Sequence, residues 1–368
     1  MTRVVRILAR WLAILAGFVP SGVRSVWATI PAQLAVYILR RLVGILVAAA
    51  AIIAVGYVLM FYAPGPGPGA PAVLGAALGA LAARHPRIYD GVMAMFQARY
   101  GYAHPLYNQV AQYVWHSLTF NFGTSYEHPG IPVLSQVSHA LPITCELAVG
   151  ALVLGLLVGV PLGVLVGLKR NTRTDRLLAS LSLSGQAIPS FLLAALLILF
   201  FGAVMPHILP VQGWGHTNQF VLPLFAVGVA NIALVTRFTR SALIEAMRQD
   251  YMRTAEAKGV SYRHRVLKHG VKNALVALIP VVGPTFAYTL ISTVWVENVF
   301  AIPGMGTLLA HAFLFEDTPV SVVAVYILAA LVLLVNLCID LARMVLDPRV
   351  RLGVPAPQGG QEIRDPSP

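Results

Sequence analysis

The chain has 368 residues, 58% of them hydrophobic and only 11% charged, with a mean hydropathy of +0.76. A soluble fold of this size needs about a quarter of its residues charged to cover its surface, so the composition excludes a water-soluble protein and places the chain in a lipid bilayer. The formal charge of +12, from 26 Lys and Arg against 14 Asp and Glu, then marks membrane topology and not a nucleic-acid partner.

Residues 1–35 place Arg3, Arg6 and Arg10 on one face of a helix and leave Trp11, Leu12, Leu15 and Phe18 for lipid. The pattern predicts an amphipathic helix lying in the inner interface. A signal peptide or a short extra span is the competing reading, against which Arg10 interrupts the apolar stretch.

A crossing of the hydrocarbon core takes about 20 apolar residues. Six runs qualify: Leu42–Tyr62, Leu147–Leu168, Leu177–Val204, Phe220–Val235, Ala274–Val296 and Val320–Ile339. The fourth has only 16 residues, so it is expected to extend past Arg237, whose stem reaches the headgroups, or to sit in thinned bilayer. None shows strict two-residue alternation, so all six are helices that satisfy their own backbone in lipid. Residues 70–83 are apolar but only 14 long and follow the breaker-rich PGPGPG, which predicts a short external helix and not a seventh crossing.

Of the 26 basic residues, 23 fall before the first span, between the second and third, between the fourth and fifth, or after the sixth. The positive-inside rule then puts both termini in the cytoplasm. The resulting organisation is an extension over 1–35, a first transmembrane helix over 36–62, an external segment over 63–141, a helical core over 142–346 with a cytoplasmic loop at 236–273, and a tail over 347–368. Cys145 and Cys338 lie inside apolar runs 193 positions apart and are read as inert packing residues.

Gly185 and Pro189 in the third span, and Pro280, Gly283 and Pro284 in the fifth, are expected to break the helical ladder and bend their helices. Polar residues beside these breaks, Gln186, Ser190, Tyr288 and Ser292 among them, are candidates to line a hydrated passage together with Pro189. Gluing helices is the competing role for each. Glu146, Glu297 and Asp340 sit near span ends without an evident basic partner at midplane, which argues against a proton-driven carrier. Glu297, before the IPGMG turn, is a candidate to face the external mouth and meet a peptide's amino group. His104, His116, His128, His139, His207 and His216 lack metal-ligand spacing and are read as surface residues.

The segment Thr236–Leu275 is far longer than the two to eight residues or so that a reversal needs. It reads as a helix over Arg237–Asp250, a short helix over Met252–Lys258, a stop at Gly259 and a further helix that Ser261 caps. Thr254, Ala255, Ala257 and Gly259 give it a slim surface ringed by basic residues, suited to close approach by another protein, while a basic loop held near anionic lipid is the plainer alternative.

The sequence DYMRTAEAKGVSYRHRVLKHGVKNAL resembles the cytoplasmic loop of inner-membrane permeases of binding-protein-dependent ABC importers, in the dipeptide and oligopeptide branch. APG (Ala63–Gly65), FGTSY (Phe122–Tyr126), QAIPSF (Gln186–Phe191), VENVFAIPGMGTLLAHAF (Val296–Phe313) and LDPRVR (Leu346–Arg351) agree in order, and the resemblance covers about residues 36–353. It implies an all-α type I ABC importer permease fold of six transmembrane helices in a bacterial inner membrane. It also implies a coupling helix from Asp250 to Gly259, carrying Arg253, Thr254, Ala255, Glu256, Ala257 and Lys258, that inserts into a groove on a separate ATPase. Where the wider family has Glu-Ala-Ala, this chain has Arg253, Thr254 and Ala255, so only the alanine and Gly259 are kept. Arg253, Lys258 and Arg263 are candidate partners for acids on the ATPase. The implied partners are a second permease chain, two cytoplasmic ATPases and an extracytoplasmic peptide-binding protein. Peptides are the implied cargo, with nickel or other metal chelates and peptide antibiotics as alternatives.

No Lys follows a Gly anywhere in the chain, so there is no GxxxxGK[ST] phosphate loop, and ATP and Mg belong on the partner ATPases and not here. A proton-coupled carrier would place ionisable residues at midplane in matching halves. An intramembrane serine protease would need a base beside Ser184, and no histidine lies inside a span.

Overall fold

The computed structural model describes residues 31–62, 104–206 and 208–346, with isolated positions between 84 and 95. The expected interfacial helix before residue 31, the APG turn, the short helix over 70–83, His207 and the tail over 347–368 lie outside the described residues. The helices are α1 (Pro31–Phe61), α2 (Leu106–Leu118), α3 (Val133–Leu168), α4 (Arg173–Ala187), α5 (Ser190–Leu199), α6 (Val221–Arg248), α7 (Asp250–Ala257), α8 (Lys272–Phe300), α9 (Met305–Leu314) and α10 (Thr318–Leu346). Among the described residues the one extended pairing is a single bridge between Thr124 and Pro132. Among the described residues five helices are long and apolar enough to cross a membrane, and α4 with α5 makes a sixth if that bent pair counts as one span.

The third expected crossing is thus divided. Ile188 leaves the helix with φ −82° and ψ 117°, the extended conformation favoured before a proline, and α4 meets the α5 segment at 93°. Pro280 and Pro284 both lie inside α8 without ending it; each lacks the N–H that would complete its rung of the helical ladder. Prolines are tolerated in such helices because neighbouring groups satisfy the freed backbone. The fourth crossing runs on through Arg237 as α6, 28 residues long.

The chain divides into two compact units, residues 1–44 with 337–368 and residues 45–336. In the first, Arg41 Nη2 donates to Asp340 Oδ2 at 2.5 Å, so Asp340 does have the basic partner that its surroundings in sequence do not show. Cys145 and Cys338 are both free thiols.

The second unit is built around α3, which contributes buried residues to three apolar clusters: Val133, Val137 and Ala140 to one, Leu147 and Ala151 to another, and Ala148 to the third. Its seam with α6 is set by glycine. A Cβ on Gly155 would stand 2.6 Å from Asn231 Cβ, one on Gly159 2.8 Å from Val235 Cβ, and one on Gly163 2.5 Å from Thr239 Cβ. The glycines and their partners both recur every fourth residue, one helical turn apart, so two backbones approach along a whole stripe. Thr236 Oγ1 donates across it to the Gly159 carbonyl at 3.3 Å. From the same seam residue α6 is tied to α8, where Thr289 Oγ1 donates to Asn231 Oδ1 at 3.1 Å.

Candidate functional site

The short helix α7 follows α6 after a single extended residue, Gln249 (φ −70°, ψ 152°). Its end is fixed by backbone chemistry. The Val260 N–H donates to the Ala255 carbonyl at 3.1 Å and the Gly259 N–H to the Glu256 carbonyl at 2.9 Å, with Gly259 at φ +75°. This is a Schellman cap, and its left-handed position strongly favours glycine. Met252 and Ala255, one turn apart, are the buried residues of α7, while Asp250, Arg253, Thr254, Ala257, Lys258 and Gly259 are exposed.

Glu256 accepts from Arg265 Nη1 at 2.8 Å, and this bond holds its carboxyl below the ordinary glutamate range. Glu256 therefore braces α7 against the wide π-turn Arg265–Val271 that leads into α8. Val266 and Gly270, one turn apart in that segment, are buried; a Cβ on Gly270 would meet Met247 and Leu243 of α6. Ser261 occupies the expected cap position before Tyr262 but makes no side-chain cap bond. The result is a helix clamped on one face and bare on the other. Arg253 is 82% exposed, with only a loose pairing to Asp250 at 3.8 Å.

The candidate passage residues divide. Gln186 and Tyr288 line one cavity of about 530 Å³ between α4, α6 and α8, with Leu234, Arg237, Phe238, Pro280, Pro284 and Thr285. Pro189 stands exposed at the start of α5, whereas Ser190 and Ser292 are buried and are not part of that wall.

Glu297 requires correction: it does not open to an external mouth. It is 0% exposed, and its Oε2 accepts from the Gly306 N–H at 2.6 Å. The IPGMG turn wraps it so closely that a Cβ on Gly304 or Gly306 would collide with its carboxylate. Thr144 of α3 accepts from the Met305 N–H at 2.8 Å in the same knot.

Two further acids organise the ends of the second unit. Asp317, 1% exposed, accepts from the Ser125 hydroxyl, from Tyr126 N at 3.2 Å, from Glu127 N at 3.3 Å and from Val320 N at 3.4 Å. It thereby caps α10 and anchors the FGTSY segment with one carboxylate. Beside it Glu127 faces His311 at 3.2 Å and His128 at 3.8 Å. At the basic end Asp175 of α4 accepts from Arg240 of α6 through two parallel bonds, 2.7 and 2.9 Å long, and also from Asn171 N at 2.9 Å. Sequence reasoning singled out neither acid.

Residues 159–352 match the family described as the binding-protein-dependent transport system inner membrane component. The chain belongs to that family. It is 35% identical over 324 residues to a probable peptide ABC transporter permease protein, y4tP, of Sinorhizobium fredii, covering 86% of this chain and 99% of that protein. It is 33% identical to the dipeptide transport system permease protein DppB of Lactococcus lactis subsp. cremoris, over 73% of this chain and 88% of that one. To the oligopeptide transport system permease protein OppB of Escherichia coli it is 32% identical, over 71% and 85%. A chain of the MetNI methionine ABC transporter in an inward-facing conformation superposes with a TM-score of 0.50 at 19% identity, covering 58% of this chain and 98% of that one. That likeness is one of fold, and it agrees with the ABC importer permease architecture. As a member of this family the chain is a multi-pass membrane permease, and α7 with its glycine cap lies inside the matched region.

Proposed function

We propose that this chain is one of two permease subunits of an ATP-driven importer in a bacterial inner membrane, carrying di- or oligopeptides from an extracytoplasmic binding protein. In this reading the basic end, with α7, lies in the cytoplasm, and α7 is the coupling helix on which a separate ATPase docks. The carrying observation is the two-sidedness of α7. Met252, Ala255 and the Glu256–Arg265 brace fix it to the transmembrane helices, while Arg253, Thr254, Lys258 and Gly259 are exposed, and their bonds among the described residues stay within α7 and its cap. A load applied to that bare face is passed to α6 and α8 together. ATP-driven closure of two ATPases would then rock the passage between its two open forms. Peptide cargo is supported by the names of the relatives.

The test is reconstitution in vesicles with the second permease, both ATPases and the binding protein, using radiolabelled trialanine. Uptake is expected only with ATP and the complete set of subunits. Accumulation of solute against its gradient by vesicles holding this polypeptide alone, or labelling of a cysteine placed at Lys258 from outside intact cells, would overturn the reading.

A further inference from the structure

The cavity between α4, α6 and α8 has a charge character that the coupling role leaves unexplained. Most of its wall is apolar, with Ala230, Leu234, Phe238, Pro280, Val281 and Pro284. Its volume of about 530 Å³ suits a small ligand. Arg237 is the one formally charged residue in that lining, and among the described residues no carboxylate pairs with it. This sets it apart from Arg41, Arg240 and Arg265, each held by an acid. Its guanidinium lies 5.6 Å from the centre of the Phe238 ring. Gln186 supplies the second observation. It lines the cavity, and its Nε2 is buried and has no hydrogen-bond partner, so a turn of the amide toward the cavity would give that donor an acceptor. Tyr288 adds a phenolic hydroxyl to the same wall, while the Thr285 hydroxyl is already spent on the Val281 carbonyl at 2.7 Å.

A guanidinium, a carboxamide N–H and a phenol are donors, and no acidic side chain shares the cavity with them. Arg237 and Tyr288 are exposed at the open side of the cavity, and the ligand that answers such a set against an apolar wall is a planar anion able to accept from several donors at once. We propose that this cavity is a carboxylate-recognition site, in which Arg237, Gln186 and Tyr288 receive the free C-terminus of a peptide in transit. The inference rests on the peptide-import reading above and adds to it a chemical filter within the membrane chain. A lipid phosphate is the other anion within reach of Arg237. The orphaned Gln186 amide favours the peptide, because a headgroup held by arginine at the surface has no use for a buried donor between three helices.

The experiment compares uptake of trialanine with uptake of trialanine amide in vesicles holding the complete transporter, each peptide presented at saturating occupancy of the binding protein. The wild type is expected to favour the acid by about tenfold or more, the scale of one charge-assisted hydrogen bond. Arg237→Gln should collapse that ratio to about one, chiefly by slowing turnover of the acid at saturation, and Arg237→Lys should restore part of it. If Arg237→Gln fails to assemble, Gln186→Leu carries the test, and its ratio should fall by a smaller factor. Equal uptake of acid and amide by the wild type, or a ratio unchanged in the variants, overturns the assignment. Equal loss of both peptides in Arg237→Gln, relieved by changing the anionic lipid content, also overturns it and gives Arg237 to a headgroup. Failure of the wild type to take up either peptide would instead sink the peptide-import reading.

Discussion

Arg240 grips Asp175 with two parallel hydrogen bonds, 2.7 and 2.9 Å long, and so ties the start of α4 to the stretch of α6 that leads into α7. The carboxylate is almost wholly buried and the guanidinium about one-third exposed, so solvent screens the pair only partly. Removing either partner strands the other charge. Asp175→Asn and Arg240→Gln should each destabilise the permease, and the double variant should cost less than the sum of the two. A double-mutant cycle by denaturant titration in mixed micelles should return a coupling of about 2 kcal/mol. A coupling near zero would reduce the bridge to a surface contact.

The glycine stripe of α3 makes a sharper prediction. At Gly163 a Cβ would stand 2.5 Å from Thr239 Cβ and 2.7 Å from the Thr236 carbonyl oxygen, and helix backbone cannot yield as a flexible side chain can. Gly163→Ala is expected to push α3 from α6 and cost about 1–3 kcal/mol, read as a lowered midpoint of thermal unfolding in detergent. Gly44→Ala is the matched control, because a Cβ there meets nothing within 4 Å.

What was legible in the sequence followed local chemistry. Run length sets the spans, the glycine at 259 stops α7, and the proline at 189 divides the third crossing, each because the deciding atoms sit within a few residues. The four-residue recurrence from Gly155 to Gly167 is equally local, but the helix it admits is not, since Asn231, Val235 and Thr239 lie far along the chain. That α8 continues past Pro280 and Pro284 depends likewise on neighbours invisible in one dimension. Asp317 and Asp175 were beyond reach for a like reason: their partners Ser125 and Arg240 lie 192 and 65 positions away. Glu297 looked like a mouth residue because burial is a property of what folds over a side chain, and the IPGMG turn that covers it is also the clue that suggested exposure.

Asp317 ties two segments to one carboxylate, which separates its removal from that of an ordinary helix cap. Asp317→Ala should strip the N-terminus of α10 and free the FGTSY segment together, at a cost of about 3 kcal/mol. Ser125→Ala, which removes one donor and leaves the cap, should cost about 1 kcal/mol. Hydrogen exchange should show faster opening at both Tyr126–Glu127 and the first turn of α10 in the aspartate variant. In the serine variant it should quicken only at the former. Equal effects of the two changes would mean that the carboxylate is not the shared anchor.

Gly259 carries two requirements that substitutions can pull apart. Its φ of +75° penalises any side chain with a Cβ by about 1–2 kcal/mol, asparagine least among them. Yet a Cβ there meets nothing within 4 Å, so none of the described residues objects to a methyl group at that point. If the position served only to end α7, Gly259→Asn, Gly259→Ala and Gly259→Arg would rank by backbone strain, with alanine and arginine alike. If a partner protein also seats against it, size adds to strain and separates arginine from alanine. On that account asparagine is expected to retain most trialanine uptake in reconstituted vesicles and alanine a reduced share. Arginine should abolish uptake while membrane insertion and the thermal midpoint stay close to those of the alanine variant. Uptake by Gly259→Arg at the alanine level would contradict docking at this face, because the added side chain projects into space that only another molecule fills.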